Sequence, residues 1–391
     1  MPKLADVAEI NPRLDRSAIG DMNEVISFVP MANVSEVFGA VVSEEPRKAS
    51  EVIKGFTPFK DRDVLIAKIT PCFENGKIAH ARIAKRLGFG STEFHVVRPK
   101  AEKLDDRYLY HFLRQPAVRE AGERRMTGSA GQKRVPKAFF EEINIPLPSI
   151  PEQRRVAAIL DKADLLRAKR REAIAKLDQL MQSVFLEMFG DPVTNPKGWP
   201  LISFADVGQW KSGATPSKSE PAYWDGSFPW VSPKDMKVSL ITDAQDHVSN
   251  LAFESTNLKR IEAGHLLIVV RGMILAHSFP TAINAVPIAI NQDMKAIKPI
   301  DELNIVYLKS AVDALKDRIL SVVSTAGHGT RRLDMRDASE VMVPVAPVEL
   351  QSTYKTVVQK YVQQRKMMVE QLAQLERAFS SLQTKAFAGT L

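Results

Sequence analysis

Two short loops combine small and basic residues in nearly the same order, half a chain apart. The first, TGSAGQKR, begins at Thr127, and the second, TAGHGTRR, begins at Thr325, an offset of 198 residues. Small residues let backbone N–H groups approach a phosphate, and Gln, Thr, Lys and Arg side chains can reach phosphates or base edges. These residue types indicate binding of a polyanion. The alternative is a solvated loop beside a charged helix face.

Two further segments have the same character. AKITPCFENGK, from Ala67, places polar and basic residues on a turn after an apolar run, and WKSGATPSKS, from Trp210, repeats the pattern in the second half. A net charge of +8 favours a polyanionic partner, whereas Trp224 and Trp230 are expected in a core. The residues predicted to contact this polyanion are Lys68, Thr70, Asn75, Lys77, Ser129, Gln132, Lys133, Arg134, Lys211, Ser212, Thr215, Ser217, Lys234, Arg271, Thr330, Arg331 and Arg332.

Motifs for chemistry on DNA or nucleotides are missing from the sequence. Methylation of a flipped adenine needs an Asp/Asn-Pro-Pro-aromatic loop, whereas NPR, DPV and NPK here lack the second Pro and the ring. PCFENGKI lacks the first Gly of a phosphate-binding loop. Seven histidines and one cysteine show no metal-ligand spacing. We therefore expect a binding protein without catalytic residues, metal or cofactor.

Cysteine usage and hydropathy bear on the compartment. A single cysteine cannot form an internal disulfide, and the longest apolar run, LLIVV from Leu266, is too short to span a membrane. The first residues carry no apolar signal segment. A cytoplasmic protein without membrane contact is expected.

The similarity of the two loops extends forward without a gap at the same offset. Upstream of position 104 it survives only with shifted offsets, as in FVPMANV against WVSPKDM and DVLIAKI against HLLIVVR. The chain is therefore two copies of one unit, each with a variable front and a constant back. Matched pairs include Pro146 with Pro344, Gln153 with Gln351, Leu177 with Leu375, Ser183 with Ser381 and Phe189 with Phe387.

The constant back of each unit predicts a long helix. Residues 154–189 contain no Gly or Pro, and Gly190 and Pro192 follow as cap and breaker. Such a helix is about 50 Å long, more than one small domain covers, so we expect the two helices to pair as an antiparallel coiled coil. The alternative is that each helix packs on its own domain. Steps of four and three give the seam positions 163, 167, 170, 174, 177, 181, 184 and 188, and 361, 365, 368, 372, 375, 379, 382 and 386.

The variable fronts predict strand-rich α+β domains. Runs such as EVISFVPM, DVLIAKI, FHVVRP, HLLIVVR and MKAIKP read as strands, and a helix is expected just before each repeated loop. The predicted order is a first domain over 1–150, a helix over 151–190, a second domain over 191–348 and a helix over 349–391. An antiparallel pair of helices would relate the two units by a pseudo-two-fold axis.

Several motifs in this order resemble the specificity (S) subunits of Type I restriction-modification enzymes. They are AKITPCFENGKIA, the TGSAGQKR loop, IPLPSIPEQRRVAAIL, DPVTNPKGWP, SGATPSKSEPAYWDGSFPWVSPKDM and QLERAFSSLQTKAF. The resemblance covers almost the whole chain. The two repeated loops are not identical, because the second reads GHGTRR where the first reads GSAGQK.

The resemblance implies a non-catalytic subunit with two target-recognition domains, each reading half of a split double-stranded DNA sequence. Its helices would dock two methyltransferase subunits, which bring S-adenosylmethionine, and nuclease-translocase restriction subunits would join them. Leu160, Leu166, Val358 and Met367 are expected to stay exposed for these partners. Alternatives are a DNA-binding scaffold outside restriction-modification and an enzyme with a fused recognition domain. The latter lacks motifs and spare length.

Overall fold

The structure is a computed structural model that describes residues 1–14, 19–129, 131–325 and 329–391. It divides into two compact units, residues 1–173 with 368–391 and residues 174–367. Each unit holds one α+β domain and parts of both long helices, so the predicted fold class is confirmed. The unit boundaries fall inside the helices, and the predicted four-segment division remains a prediction.

The domain of the first unit is built on two sheets. The larger has the strand order β1-β10-β7-β8-β4-β3, and the smaller has the order β5-β2-β9-β6. Its strands are β1 Ala8–Ile10, β2 Val25–Val29, β3 Val34–Ser35, β4 Ala40–Val41, β5 Glu45–Lys48, β6 Thr57–Lys60, β7 Val64–Ala67, β8 Ile78–His80, β9 Leu87–Gly90 and β10 Phe94–Pro99. Its helices are α1 Leu4–Val7, α2 Ala49–Val52, α3 Asp106–Leu113, α4 Pro116–Glu123, α5 Lys137–Glu142 and the start of α6 Ile150–Phe189.

The domain of the second unit has the corresponding sheets, β12-β19-β16-β17-β14 and β15-β13-β18, with short pairs β11-β22 and β20-β21. Its strands are β11 Leu201–Ser203, β12 Gly208–Ser212, β13 Phe228–Val231, β14 Leu240–Ile241, β15 Asp246–Val248, β16 Leu266–Val269, β17 Thr281–Asn284, β18 Ala289–Ile290, β19 Met294–Pro299, β20 Ser324–Thr325, β21 Arg331–Arg332 and β22 Met342–Pro344. Its helices are α7 Asn250–Ser255, α8 Ile305–Ala314, α9 Lys316–Val322, α10 Met335–Ser339 and the start of α11 Val348–Ala388.

The two domains share a topology although their sequences diverge. In the larger sheets β10 pairs with β7 and β19 with β16, both antiparallel, and the outer pairs β4-β8 and β14-β17 are both parallel. In the smaller sheets β2 lies parallel to β9 and β13 parallel to β18. The shifted matches FVPMANV/WVSPKDM and DVLIAKI/HLLIVVR fall on corresponding strands, β2 and β13, and β7 and β16. The internal repeat is confirmed for the fronts as well.

The segment before each repeated loop differs from the single helix expected there. It forms two helices, α3 and α4 in the first unit and α8 and α9 in the second. In the first unit the break falls at Pro116, which holds Gln115 in an extended conformation. Trp230 is buried at 4% exposure and meets Trp224 edge-on, as the core prediction requires.

Both long helices are present. α6 begins at Ile150, one residue before the predicted start, and Pro151 lies in its first turn, where a missing N–H costs nothing. It ends at Phe189, and Gly190 adopts φ +81°, a conformation that glycine accepts without strain. α11 is of similar length and ends before Gly389.

The helices run antiparallel within each unit. In the first unit Arg167 lies over the ring of Phe379 at 4.1 Å, and Arg171 Nη2 lies 2.6 Å from Glu376 Oε1. In the second unit Arg365 Nε donates to Asp178 Oδ1 at 2.8 Å, and the rings of Phe185 and Tyr354 are 5.6 Å apart. As the number on α6 rises, the number on its α11 partner falls, which confirms the predicted direction of pairing.

The predicted seam is covered only in part by this pairing. Its α6 positions are all half-buried, and its α11 positions are buried or half-buried except Arg365. Leu166 and Met367 remain 49% and 44% exposed, as expected. The expectation for Leu160 is wrong, because Leu160 is fully buried in the core of the first domain. Val358 is partly buried against the second core.

A buried glutamine joins each long helix to its domain in the same way. Gln153 Oε1 accepts from Asp105 N at 2.8 Å, and its Nε2 donates to the carbonyls of Lys103 and Pro148. Gln351 makes the corresponding bonds to Asn304 N and to the carbonyls of Glu302 and Ala346. Both glutamines are 0% exposed. The helix and the domain of each unit are thereby held in one orientation.

Among the described residues, no helix combines the length and the apolar character that crossing a membrane would need.

Candidate nucleic-acid interface

The first loop site consists of the repeated loop 127–134, the turn that follows β7, and the residues of β10 beneath them. Thr127 and Arg134 exchange backbone hydrogen bonds of 3.0 and 2.8 Å, which close the loop. Thr70 N donates to Lys133 O at 2.9 Å, and Val135 N donates to Lys68 O at 2.9 Å. Two segments that are far apart in sequence, and that both carry predicted contact residues, are therefore neighbours.

The tip of this loop presents polar groups to solvent. Ser129, Gln132 and Lys133 are exposed, and Lys133 has no ion pair within the described part of the chain. Gly128 has φ +130°, and a Cβ there would lie 2.7 Å from Gln132 O, so a side chain would displace the loop. The loop can thus offer a cation and amide groups to one anion.

Arg134 is held differently. Its Nε and Nη2 donate to both carboxylate oxygens of Glu93 at 3.0 and 2.8 Å. The hydrogen bond from Arg134 lowers the pKa of Glu93, although burial opposes the shift. Arg134 is therefore neutralised by a carboxylate of its own domain before any ligand arrives.

His95 lies beneath the loop. Its Nε2 donates to Val135 O at 2.9 Å, and its Nδ1 accepts from Asn11 Nδ2 at 3.0 Å. Burial lowers the pKa of this imidazole. A neutral His95 satisfies both ring nitrogens and positions the chain that leaves the loop.

Of the other predicted residues of the first half, some are exposed to solvent and some are bonded within their own domain. Asn75 is exposed, while Thr70 Oγ1 donates to Glu74 Oε1 at 2.7 Å. Lys77 is only 16% exposed, and its Nζ donates to Met31 O at 3.3 Å and lies 3.8 Å from Glu36. The ammonium of Lys77 therefore faces its own domain.

The second loop site has the same backbone arrangement around residues 270–272 and 329–333. Gly272 N donates to Arg331 O at 3.1 Å, and Leu333 N donates to Val270 O at 2.9 Å. Beneath them Val270 N donates to Asp293 O at 2.8 Å, as Lys68 N does to Glu93 O in the first site. Residues 326–328 of the repeated loop lie outside the described residues.

Three cations meet in the second loop site. Arg271 and Arg332 face each other across a β-bridge, and Lys295 on β19 lies beside them. Burial and then the charges of Arg332 and Arg271 lower the pKa of Lys295, whose Nζ donates to Ser212 Oγ at 2.6 Å. Carboxylates offset this charge incompletely, since Arg271 is 3.8 Å from Asp293, while Arg332 pairs with Asp334.

The remaining predicted residues of the second half are partly engaged. Ser212, Thr215, Ser217 and Lys234 are exposed, and Lys211, Thr330 and Arg331 are half-buried. Thr215 Oγ1 donates to Gln292, and the hydroxyls of Ser217 and Ser219 are hydrogen-bonded at 2.7 Å. Their contacts with DNA remain predictions.

Sequence reasoning missed the residues under the two loops: Glu93 and His95 in the first site, and Asp293 and Lys295 in the second. His95 and Lys295 are the second residues of β10 and β19, and Glu93 and Asp293 directly precede these strands, which pair with the strand before the turn. The run MKAIKP was recognised as a strand, and its alternation could have placed Lys295 on the same face as the loop. In the described ranges, no group of His, Cys, Asp and Glu side chains could hold a metal ion.

A family model described as Type I restriction modification DNA specificity domain matches residues 1–176 and 196–377. The chain belongs to this family. Both loop sites lie inside the matched ranges, so the family covers the two α+β domains and most of both long helices.

Curated relatives of this family are specificity subunits. The chain is 44% identical over 154 residues to the Type I restriction enzyme EcoAI specificity subunit of Escherichia coli, covering 39% of this chain and 26% of that protein. It is 29% identical over 268 residues to the EcoR124I/EcoR124II specificity subunit of the same species, covering 65% of this chain and 63% of that one. The chain thus spans less than two thirds of either relative.

A solved structure supports the fold along the whole chain. A chain from a study of complex assembly and conformational transition of the type I R-M system matches with a TM-score of 0.61 and 21% identity, covering 100% of this chain and 97% of that chain. At this identity the likeness shows the fold of the specificity domain family, here two domains joined by long helices.

Proposed function

We propose that this chain is the DNA-recognition subunit of a Type I restriction-modification complex and reads an asymmetric, bipartite sequence in double-stranded DNA. The observation that carries the proposal is the repeated basic loop, which the same backbone hydrogen bonds hold in both units. Phosphate contacts from such loops position a protein on DNA, and side chains that differ between the two fronts read different bases. Two unlike domains therefore read two unlike half-sites.

The spacing of the half-sites follows from the helices. If their antiparallel pairing relates the two domains by a two-fold axis, both approach one face of the duplex in inverted orientation. Their half-sites then lie about one helical turn apart, roughly 10 base pairs between centres, with an unread spacer.

Methylome sequencing tests this directly. Cells that carry the chain with its methyltransferase should methylate one split, asymmetric sequence. Exchanging residues 1–150 for the front of another family member should change one half-site and leave the other intact. A continuous palindrome, or an exchange that altered both halves, would contradict the proposal.

The helices supply the docking surface for the partners we propose, two methyltransferase subunits that bring S-adenosylmethionine, together with restriction subunits. Apolar side chains stay exposed along both helices, beyond the isolated ones common on protein surfaces. These are Leu165, Leu166, Leu180, Leu186, Val362, Met367 and Val369. Copurification from a cytoplasmic extract should recover a methyltransferase with the wild-type chain and less with Leu166→Glu, whereas Lys169→Glu on the same helix serves as control.

A DNA-binding scaffold outside restriction-modification is the second candidate, since it would share the basic loops. It differs by having no methyltransferase encoded beside it and by methylation that proceeds without this chain. In either case we propose that the chain itself is not a catalyst and that it holds no cofactor.

A further inference from the structure

The first unit contains a cavity of about 370 Å³ that borders the turn after β7, through Asn75 and Gly76. We call it the arginine cavity. It lies where the first domain meets the helices, and its lining includes Arg114, Arg119, Arg167, Arg171, Glu376 and Phe379. Its volume is in the range of sites that hold small ligands.

The carboxylates around the cavity do not balance its cations. Asp164 is shared by Arg114 and Arg167, at 3.1 and 2.9 Å, and Glu376 pairs with Arg171 at 2.6 Å. Glu36, which also lines the cavity, is 3.8 Å from Lys77. Arg119 makes no side-chain hydrogen bond or ion pair within the described residues. With Glu36 set against Lys77, the four arginines of the lining meet two carboxylates, Asp164 and Glu376.

Burial makes this excess costly. Arg114 and Arg167 are each 14% exposed, and Arg171 is 22% exposed. The Nε of Arg167 is buried without a partner, and its guanidinium lies 4.1 Å from the centre of the Phe379 ring. An unbonded buried donor destabilises a fold unless a ligand satisfies it. The cavity is therefore positively charged and short of acceptors.

We propose that the arginine cavity binds a phosphate group. A phosphate monoester carries about −1.5 to −2 charges near pH 7, which matches the excess of cations, and its three oxygens suit several guanidinium groups. Arginine forks bind such groups through paired hydrogen bonds. The phosphate belongs either to the DNA backbone or to a free phosphorylated molecule.

The second unit does not repeat this chemistry. At the 198-residue offset, Arg114, Arg119 and Arg171 correspond to Val312, Asp317 and Val369. Only Arg167 keeps a counterpart, Arg365, whose charge is met by Asp178 at 2.8 Å. The cavity is thus a feature of the first unit and is not a by-product of the repeated helix.

Thermal unfolding of the full-length chain in inorganic phosphate tests the proposal, with chloride at equal ionic strength as the reference. Phosphate at about ten times its Kd should raise the Tm by about 2–4 °C. Arg119→Gln breaks no existing bond and should weaken phosphate binding by about 10-fold, as measured by calorimetry. Lys169→Gln removes an exposed charge from α6, the helix that carries Arg167 and Arg171, at a position outside the cavity, and it should leave phosphate binding unchanged. Arg171→Gln is a second variant in the cavity lining and should also weaken phosphate binding.

DNA-binding titrations distinguish the two sources. If the DNA backbone fills the cavity, Arg119→Gln weakens binding to all sequences, the salt slope falls by about one, and phosphate competes with DNA. If a free phosphorylated molecule fills it, Arg119→Gln leaves DNA affinity unchanged while it weakens phosphate binding. A Tm that rises no more in phosphate than in chloride would overturn the proposal, as would equal phosphate binding by wild type, Arg119→Gln and Arg171→Gln. Neither result would contradict the proposal that the chain recognises a DNA sequence.

Discussion

The residue beneath the repeated loop is His95 in the first loop site and Lys295 in the second, at corresponding positions of β10 and β19. His95 is neutral and bonded at both ring nitrogens. Lys295 is a cation beside two arginines. The carboxylate next to each residue also acts differently, since Glu93 binds Arg134 at 2.8 Å whereas Asp293 is 3.8 Å from Arg271.

The two sites therefore share the position of the loop and differ in the charge around it. The backbone bonds that hold each loop are the same, so the repeat maintains the position of the loop. The strand beneath the loop belongs to the variable front, and it sets the charge that the loop presents. The second site offers more uncompensated positive charge and should bind the phosphate backbone more strongly.

Removal of cations from each site should give the largest effect. We expect Lys295→Gln with Arg271→Gln, whose nearest carboxylate is 3.8 Å away, to weaken DNA binding about 100-fold near 0.1 M salt and to reduce the salt slope by about two. Lys133→Ala with Arg134→Ala should reduce the slope by only about one, because Arg134 is already paired with Glu93. DNA titrations at several salt concentrations measure both. Equal losses from the two pairs of substitutions would show that the sites do not differ in charge.

The attachment of each long helix to its domain can be tested through the buried glutamine that joins them. Gln153→Ala and Gln351→Ala each leave one backbone N–H and two carbonyls without partners. Each should lower the free energy of unfolding by about 2 kcal/mol. The exposed Gln179→Ala should change it by less than about 0.5 kcal/mol. If denaturant unfolding showed a lower free energy of unfolding for only one of the two variants, the two helix–domain contacts would not be equivalent.

Features that depend on local pattern could be predicted from the sequence. The repeat, the strands from Val64 and Leu266, and the long helices with their antiparallel seam follow from periodicity, offset and breakers. The arrangement under the loops could not be predicted, because Glu93 meets Arg134 only through the register of β10 against β7. For the same reason, periodicity marked Leu160 as apolar but could not show that the domain covers it.

Releasing Arg134 should make the first site resemble the second. Glu93→Gln removes the carboxylate that neutralises Arg134, and we expect DNA affinity to rise about 3-fold at low salt. Asp293→Asn should have a smaller effect, because Asp293 is 3.8 Å from Arg271. Fluorescence anisotropy with one duplex measures both. A fall in affinity for Glu93→Gln would indicate that the ion pair positions Arg134 for DNA.

The smallest expected difference is in the response of the two sites to pH. Burial lowers the pKa of His95 below its ordinary value near 6.5. A group whose pKa is lower in the folded state stabilises the fold fully above its unfolded pKa, and the stabilisation is lost as the pH falls through the folded pKa. Protonation would also place an N–H on Nδ1 against the amide that Asn11 donates.

We therefore expect the backbone amides of Thr127, Arg134 and Val135 to exchange faster below about pH 6 than intrinsic rates predict. The charges that face His95 are Lys68 on the turn, Lys137 on α5 and Glu93 just before β10, and none of these ordinarily titrates between pH 5 and 7. Amides of the second loop site, above Lys295, should show no such change in this range. In His95→Gln, whose amide stays neutral, the pH dependence of the first site should disappear. If the pH dependence persists in His95→Gln, another group loosens the loop. The presence of His95 in place of Lys295 would then not account for the difference between the two sites.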